Sequence, residues 1–334
     1  MSARLLVAAL RDPASVAQFN AAGWTALISA ARAEQMIGTL AHRVGGLPMP
    51  PAAARILEDA RASAEQGRIA ALWEAEMARR ALAPLGVPVI LLKGTAFVAA
   101  GLAAGRGRHI GDLDILVPRE RLDEAEAALL AAGWEWVKPD PYDDAYYRRW
   151  MHELPPLIHR ERDRMIDVHH TILPLTAAPK PDAAALVAGA VEIGGGLSML
   201  SRQDVVIHAA AHLFADGDLA GGLRNLWDIH CLLGEFDAPG YVEGLRERAR
   251  LHGLLPAVDR GLRLSQWLYG AGAPLTPIDR LFVRRLLGRD GWGRQRRKVS
   301  EFGFYLRGHL LRMPPAMLAR HLWTKWRKGY RPVG

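Results

Sequence analysis

Two aspartates, Asp112 and Asp114, are separated by a single residue in an otherwise apolar run. Residues 113–117 predict a β-strand, on which side chains two positions apart point to the same face. Two carboxylates on one face of an apolar strand repel each other, and burying them is costly unless a cation lies between them. A divalent cation that prefers oxygen ligands meets this need, so we expect Mg²⁺, with Mn²⁺ as the alternative.

A third carboxylate, Asp167, lies in a second apolar stretch that predicts a strand over 165–172. If this strand pairs beside the first, three carboxylates meet, as two-metal phosphoryl transfer requires. Asp167 is then expected to bind a second metal ion or to act as general base. The alternative is an ion pair with Arg162 or Arg164 in the adjoining turn. His169 shares a strand face with Asp167, and it either assists the site or is a structural, hydrogen-bonded histidine.

Lys93, Gly94 and Thr95 follow an apolar run that predicts a buried strand, and they open a predicted helix. Backbone amides at a helix N-terminus favour phosphate, and glycine permits a close backbone approach. Lys93 adds a positive charge, and Arg108 is near enough to Asp112 in the sequence to contact the same polyphosphate. These residues form the candidate nucleotide-binding set: Lys93, Gly94, Thr95 and Arg108.

At these motifs the sequence resembles a known family. Residues 89–117 are similar to an uncharacterised bacterial nucleotidyltransferase family of the DNA polymerase β-like superfamily, with the pattern LLKG…R-x-x-G-D-[IL]-D-[IL]-L-V. The family's later D-[LV]-H motif is matched by Asp167-Val168-His169. Its helical region, which has a His-x-x-x-His pair and a downstream Asp, resembles His208, His212 and Asp228.

The resemblance implies a metal-dependent transferase in which Asp112, Asp114 and Asp167 are the metal-binding and catalytic acids. Two departures from the usual patterns are visible. The superfamily usually has Gly-Ser where this chain has Lys93-Gly94, so the serine hydroxyl is missing and Thr95 is the candidate to replace it. The family often has Trp after the D-[LV]-H motif, where this chain has His170.

The predicted C-terminal helices carry a second group of polar residues. Asp204, His208 and His212 are four residues apart, so they line one face of a helix. They form either a second metal site or a face with structural and substrate-contacting roles, and the resemblance favours the latter. Asp228 is expected to be a buried hydrogen-bonding partner. His169, His212 and Asp228 are therefore the candidates for substrate contact or support of the site.

The sequence lacks the motifs that are typical of several other protein classes. The sequence has no G-x-x-x-x-G-K-[ST] loop, no H-E-x-x-H and no G-x-S-x-G, which argues against a P-loop ATPase, a zinc protease and a serine hydrolase. The single cysteine, Cys231, excludes an internal disulfide framework and a cysteine-rich zinc site. The N-terminus lacks a secretion signal, and no apolar run reaches the roughly 18 residues of a membrane span. We therefore expect a cytoplasmic protein without a transmembrane segment.

The net charge of +8 is concentrated at the C-terminal end. From residue 280 onward there are 15 Lys and Arg against two acids, a charge of +13, so residues 1–279 carry −5. Aromatic residues interleave with these bases: Trp292, Phe302, Tyr305, Trp323, Trp326 and Tyr330. Such a segment either binds nucleic acid or an anionic surface, or packs on the core with its arginine stems along apolar surface. Residues 323–332 are the part expected to form an exposed arm.

The order of predicted elements indicates an α+β protein. Residues 1–80 predict an N-terminal helical subdomain, broken by prolines at 48–51, and residues 81–178 predict a small mixed-sheet nucleotidyltransferase core. In the core, helices are expected over 95–104 and 119–132, and a hairpin over 154–172. Residues 179–334 predict a C-terminal helical domain with the basic tail.

The sequence therefore predicts an enzyme that moves a nucleoside monophosphate from an NTP to an acceptor and releases pyrophosphate. The acceptor (a sugar, a peptide or a protein) and the choice among ATP, CTP, GTP and UTP stay open. The alternatives are a nucleic-acid-binding module that uses the basic aromatic tail and a non-catalytic partner protein in a biosynthetic assembly.

Overall fold

A computed structural model describes residues 2–312 and the further positions 315–316, 318–319, 323 and 327. Over these residues the chain is α+β, as the sequence predicts, with helices before, around and after one seven-stranded mixed sheet. The exposed arm predicted over 323–332 lies largely outside the described residues.

The sheet is built from short strands, with the two most apolar ones near its middle. The strands are Val89–Leu91 (β1), Leu113–Leu116 (β2), Trp134–Trp136 (β3), Leu157–His159 (β4), Met165–His169 (β5), Val191–Gly194 (β6) and Leu197–Met199 (β7). Their order is β3-β4-β5-β2-β1-β7-β6. β2 runs antiparallel to β1 and parallel to β5, and every residue of β1 and β2 is buried. Near-continuous apolar runs are typical of strands covered on both faces.

The predicted hairpin is confirmed, because β4 and β5 pair antiparallel around the charged turn at 160–164. The expectation of helix throughout the chain after residue 182 is wrong for β6 and β7. Gly194, Gly195 and Gly196 have φ values of +100°, +65° and +75°, which allow a tight connection between these strands. β7 then pairs parallel with β1, so the sheet extends past residue 178.

Four helices precede the sheet: Ser2–Arg11 (α1), Ala21–Ala33 (α2), Ile37–Arg43 (α3) and Pro51–Leu82 (α4). α4 starts at Pro51, where the fixed φ of proline suits the first helical position. The C-terminal part of this long helix contacts β1 and β2. The N-terminal region therefore covers the sheet directly.

Four helices alternate with the strands: Lys93–Ala99 (α5), Leu122–Ala131 (α6), Pro141–Trp150 (α7) and Ala183–Ala188 (α8). α5 begins and ends earlier than predicted, and α6 follows a short 3₁₀ turn at Arg119–Arg121. Gly133, with φ of +103°, directly follows the helix that the sequence predicts over 119–132, and a glycine at this position is a typical helix stop.

The C-terminal region has six helices within the described residues: Arg202–Ala211 (α9), Gly222–Glu235 (α10), Tyr241–Leu251 (α11), Leu255–Tyr269 (α12), Pro277–Leu286 (α13) and Lys298–Arg312 (α14). α9 continues into a π-helical turn, His212–Asp216. It packs against α5, α10, α11 and α12, which places this helical layer over the start of α5.

The basic C-terminal segment packs through one side of α14. The Phe304 ring lies 5.0 Å from the Phe282 ring, and the Arg307 guanidinium lies 5.2 Å from the same ring. Trp292 and Phe302 are exposed. The Arg307 guanidinium also donates hydrogen bonds to the carbonyl oxygens of Phe214 and Gly217, so one side of α14 lies on the core. Binding of a partner by the exposed side of the segment stays a prediction. None of the helices in the described part of the chain combines the length and apolarity needed to cross a membrane.

Candidate active site

Asp114 and Asp167 are brought together by the register of two parallel strands. β2 pairs with β5 so that Asp114 lies opposite Asp167 and Leu116 lies opposite His169. One carboxylate oxygen from each aspartate and one ring nitrogen of His169 all lie within 4.8 Å of one another. A three-carboxylate site requires the two predicted strands to pair, and they do. This pairing brings Asp114 and Asp167 together.

Asp114 is the most buried acid of this centre, at 3% exposure. Its Oδ1 accepts a hydrogen bond from Lys93 Nζ at 2.5 Å and one from His169 Nε2 at 2.9 Å. Burial alone would raise the pKa of Asp114, but Lys93 and His169 hold it well below its usual range. Burial likewise opposes the charge on Lys93, and the Asp114 carboxylate outweighs this and raises the pKa of the lysine.

The surroundings of Asp167 shift its pKa in the opposite direction to that of Asp114. It is half-buried, and burial together with the carboxylates of Asp114 and Glu153 raises its pKa to about 7. The alternative of an ion pair with Arg162 or Arg164 is not observed within the described structure. Arg162 forms a two-bond ion pair with Glu74, and Asp167 forms no ion pair with Arg164 among the described residues. Asp167 therefore adds a carboxylate that is poorly compensated by the cations around it.

Asp112 lies one residue before β2 and is exposed. Neither of the close ligand groups among the described residues includes it. Its charge nevertheless raises the pKa of both Lys93 and Asp167, which places it beside the same centre. Its role as a metal ligand stays a prediction.

The Lys93-Gly94-Thr95 segment turns sharply from β1 into α5. Lys93 has a φ of +50°, a left-handed conformation that is uncommon for residues other than glycine and that is often found at functional sites. A Cβ on Gly94 would lie 2.6 Å from Arg108 Nε, so the glycine makes room for the arginine. Thr95 is buried, and its hydroxyl has no hydrogen-bond partner within the described structure.

Arg108 is held from two sides. Its guanidinium forms a buried ion pair with Asp228, and it lies 5.2 Å from the Phe97 ring centroid. Burial raises the pKa of Asp228, and Arg108 and Arg224 oppose that effect. Asp228 is thus the buried hydrogen-bonding partner that the sequence predicts. Arg108 has a structural partner in addition to its predicted contact with triphosphate.

A cavity of about 50 Å³ lies between α5 and the C-terminal helices, next to this centre. Its lining includes a group of basic and imidazole side chains: Lys93, Arg108, His208, His212 and Arg224. The Arg224 guanidinium has no hydrogen-bond or ion-pair partner in the described part of the chain, and its Nε is fully buried. Burial and the neighbouring Arg108 lower the pKa of Arg224, while Asp228 and Asp112 oppose this. The cavity wall therefore carries a guanidinium that forms no direct ion pair with a carboxylate among the described residues.

Three residues near the centre were missed by the sequence analysis: Arg224, His152 and Glu153. Arg224 stands four positions before Asp228 on α10, a spacing that puts both on one helix face and is visible in the sequence. Glu153 forms a backbone bridge to His169, and its Oε2 lies 3.3 Å from His169 Nδ1. No motif in the sequence marked that pair.

The three residues of the helix face 204–212 have different surroundings. Asp204 pairs with Arg248, whereas His208 and His212 line the cavity. Asp204 is fully buried, receives two hydrogen bonds from Arg248 and interacts with His252. His208 is buried and His212 exposed, and both line the cavity. The hypothesis of a second metal site on this face lacks support, because none of the three belongs to a close ligand group of the described residues.

Fold and site together define an α+β protein with an acidic centre on adjacent parallel strands and a basic cavity beside it. A family model described as "Uncharacterised nucleotidyltransferase" matches residues 20–270, and the chain belongs to this family. No curated protein matches the chain. Family membership supports nucleotidyl transfer as the general activity.

Proposed function

We propose that this protein is a metal-dependent nucleotidyltransferase that moves a nucleoside monophosphate from an NTP to a hydroxyl or phosphate acceptor. The observation that carries the proposal is the pairing of Asp114 with Asp167 across β2 and β5, next to a cavity lined by Lys93 and Arg224. Carboxylates suit a divalent cation and basic groups suit a triphosphate, and the two sets are adjacent here.

The donor set fits a hard divalent cation. Asp114 and Asp167 offer oxygens within 4.8 Å of each other, and the pKa of Asp167 rises to about 7 for want of a compensating positive charge. Asp112, Asp114 and Asp167 would hold Mg²⁺, or Mn²⁺ in its place. When bound, the ion neutralises charge on the triphosphate and makes the attacking oxygen more acidic.

The protein's own residues would divide the remaining work. Arg224 and Lys93 would bind the β- and γ-phosphates by charge-assisted hydrogen bonds, and Arg108 would support this wall of the cavity. His169 donates to Asp114 and so orients that carboxylate. Asp167 would complete the metal site and accept the acceptor's proton as a general base.

With a hydroxyl acceptor, the reaction balances as follows. The acceptor oxygen bonds to the α-phosphorus and its proton passes to Asp167. The bond between the α-phosphorus and the bridging oxygen breaks, and pyrophosphate leaves with the electron pair. Family membership supports an NTP as the donor, and the acceptor class (sugar, peptide or protein) is to be identified by experiment.

The test is label transfer from each of the four α-³²P-labelled NTPs in a cell lysate supplemented with Mg²⁺. The wild type is compared with the double variant Asp112→Ala/Asp114→Ala and with Asp123→Asn, which changes an acid whose side chain is 94% exposed. We expect transfer by the wild type and Asp123→Asn, and none by the double variant. Equal labelling by the wild type and the double variant with every NTP would overturn the proposal.

A further inference from the structure

His152, Glu153 and His169 form a second close ligand group beside the acidic centre. One ring nitrogen of each histidine and one oxygen of Glu153 lie within 4.8 Å of one another. Glu153 Oε2 is 3.3 Å from His169 Nδ1 and 3.7 Å from His152 Nε2. The group shares His169 with the acidic centre, but through the other nitrogen of the ring.

The hydrogen bond between His169 and Asp114 determines which ring nitrogen of His169 is free to bind a cation in this group. A carboxylate only accepts hydrogen bonds, so His169 Nε2 carries the hydrogen that is donated to Asp114. In a neutral imidazole, Nδ1 then has a free electron pair, and it points toward a Glu153 oxygen that is also an electron-pair donor. Within the described structure this Nδ1 has no hydrogen-bond partner, and His169 is only 1% exposed. Two electron-pair donors that face each other at such a half-buried site are unfavourable unless a proton or a metal cation joins them, and a third donor favours a metal cation.

His152 adds a third donor, because its Nε2 lies 3.7 Å from Glu153 Oε2. Its ring centroid lies 5.2 Å from that of His169, and its side chain is only 12% exposed. Its Nδ1 is buried and has no hydrogen-bond partner among the described residues. The two imidazoles therefore both direct ring nitrogens at one carboxylate, and both have an unsatisfied buried nitrogen.

We infer that His152, Glu153 and His169 bind one Zn²⁺ ion at a site of its own, separate from the predicted Mg²⁺ ligands. Two histidines and one glutamate are a ligand set that Zn²⁺ uses where it keeps a fourth position open for water or substrate. Mg²⁺ prefers all-oxygen ligands and fits this set poorly. Asp114 would be the carboxylate that orients a zinc-binding histidine through its second nitrogen. The inference rests on these side chains and not on the proposed transfer reaction.

The test is Zn²⁺ binding by the full chain, prepared without a histidine tag and stripped with a chelator. Calorimetric titration is expected to give one Zn²⁺ per chain for the wild type. His152→Ala and Glu153→Gln are each expected to weaken binding at least about tenfold, since even residues that only orient ligands contribute that much. His230→Ala, which changes a half-buried histidine of another cleft, is expected to bind as the wild type does.

Two further measurements make the outcome decisive. Co²⁺ in place of Zn²⁺ should give a visible absorption band in the wild type that changes in His152→Ala, and circular dichroism should show that the variants are folded. Asp112→Asn should bind Zn²⁺ normally, even if the transfer reaction is lost or was never present. Absence of stoichiometric Zn²⁺ binding by the folded wild type, or equal binding by His152→Ala and Glu153→Gln, would overturn the inference.

Discussion

Asp114 and Asp167 occupy directly opposed positions on parallel strands, yet their charges are stabilised very differently. Asp114 is paired with Lys93 and His169, which hold its pKa well below the usual range. The pKa of Asp167 is raised to about 7, because it is half-buried and lies near the carboxylates of Asp114 and Glu153. One strand register therefore places a carboxylate that is well compensated by cations beside one that is not, and a divalent cation bound between them would supply the missing positive charge.

Replacing Asp114 by Asn is expected to lower the rate of nucleotidyl transfer by at least about a hundredfold, because metal stabilisation of the transition state contributes several kcal/mol. Asn keeps an acceptor for Lys93 and His169, so the fold should survive. The rate is measured with the labelled NTP found active for the wild type. Asp123→Asn serves as the control, and a variant Asp114→Asn with unchanged kcat would remove Asp114 from the mechanism.

Arg224→Gln is expected to weaken NTP binding by about 10- to 100-fold, the value of a hydrogen bond to a charged group. The same change should leave the free energy of unfolding unchanged or higher, because it removes a half-buried charge that has no direct ion-pair partner among the described residues. Binding is measured by calorimetry with a non-hydrolysable NTP, and stability by urea unfolding.

The matched control for Arg224 is Arg246→Gln, since Arg246 is 42% exposed and pairs with Asp259 away from the cavity. If Arg224→Gln destabilises the protein and leaves NTP affinity unaltered, Arg224 is a structural residue and not a phosphate ligand.

Asp228→Ala is expected to lower the free energy of unfolding by about 3–5 kcal/mol, because it leaves Arg108 buried without its partner. The double variant Arg108→Met/Asp228→Leu should recover most of this loss, since apolar groups of similar size replace both charges. Urea unfolding of the wild type and both variants measures the difference. Equal stability of Asp228→Ala and the wild type would show that the pair contributes nothing to the fold.

Asp204 should make stability depend on pH in the acid range. Burial opposes its charge, but hydrogen bonds from His252, Arg248 and Ser201 outweigh burial and lower the pKa of Asp204 below the ordinary 3.8. A depressed folded-state pKa gives stability that is present above that ordinary value and is lost as the pH falls through the folded pKa.

The measurement for Asp204 is the free energy of unfolding as a function of pH. The wild type should lose stability more steeply below pH 3.8 than Asp204→Asn, in which this group no longer titrates. Asp59→Asn, which changes an exposed acid of α4, should follow the wild type. Parallel curves for all three proteins would contradict the assignment.

The sequence by itself determined most of the local structure. Apolar runs bounded by glycine and proline predicted β1, β2 and the β4–β5 hairpin, and Gly133 marked the end of α6. These signals work because hydrophobic period, backbone freedom and turn chemistry act over a few residues. β6 and β7 were missed because they are short and carry polar residues and a glycine-rich connection, and β7 acquires its second partner only when it reaches β1.

Only the tertiary structure decided which polar groups meet. The sequence placed Asp114 and Asp167 on two strands, but their register depends on packing between segments distant along the chain. The same holds for Arg108 with Asp228, which join the core to α10, and for Glu153 with His169. A motif specifies which chemical groups are available within a few residues, whereas burial and pairing across the fold set their charge, their partners and hence their function.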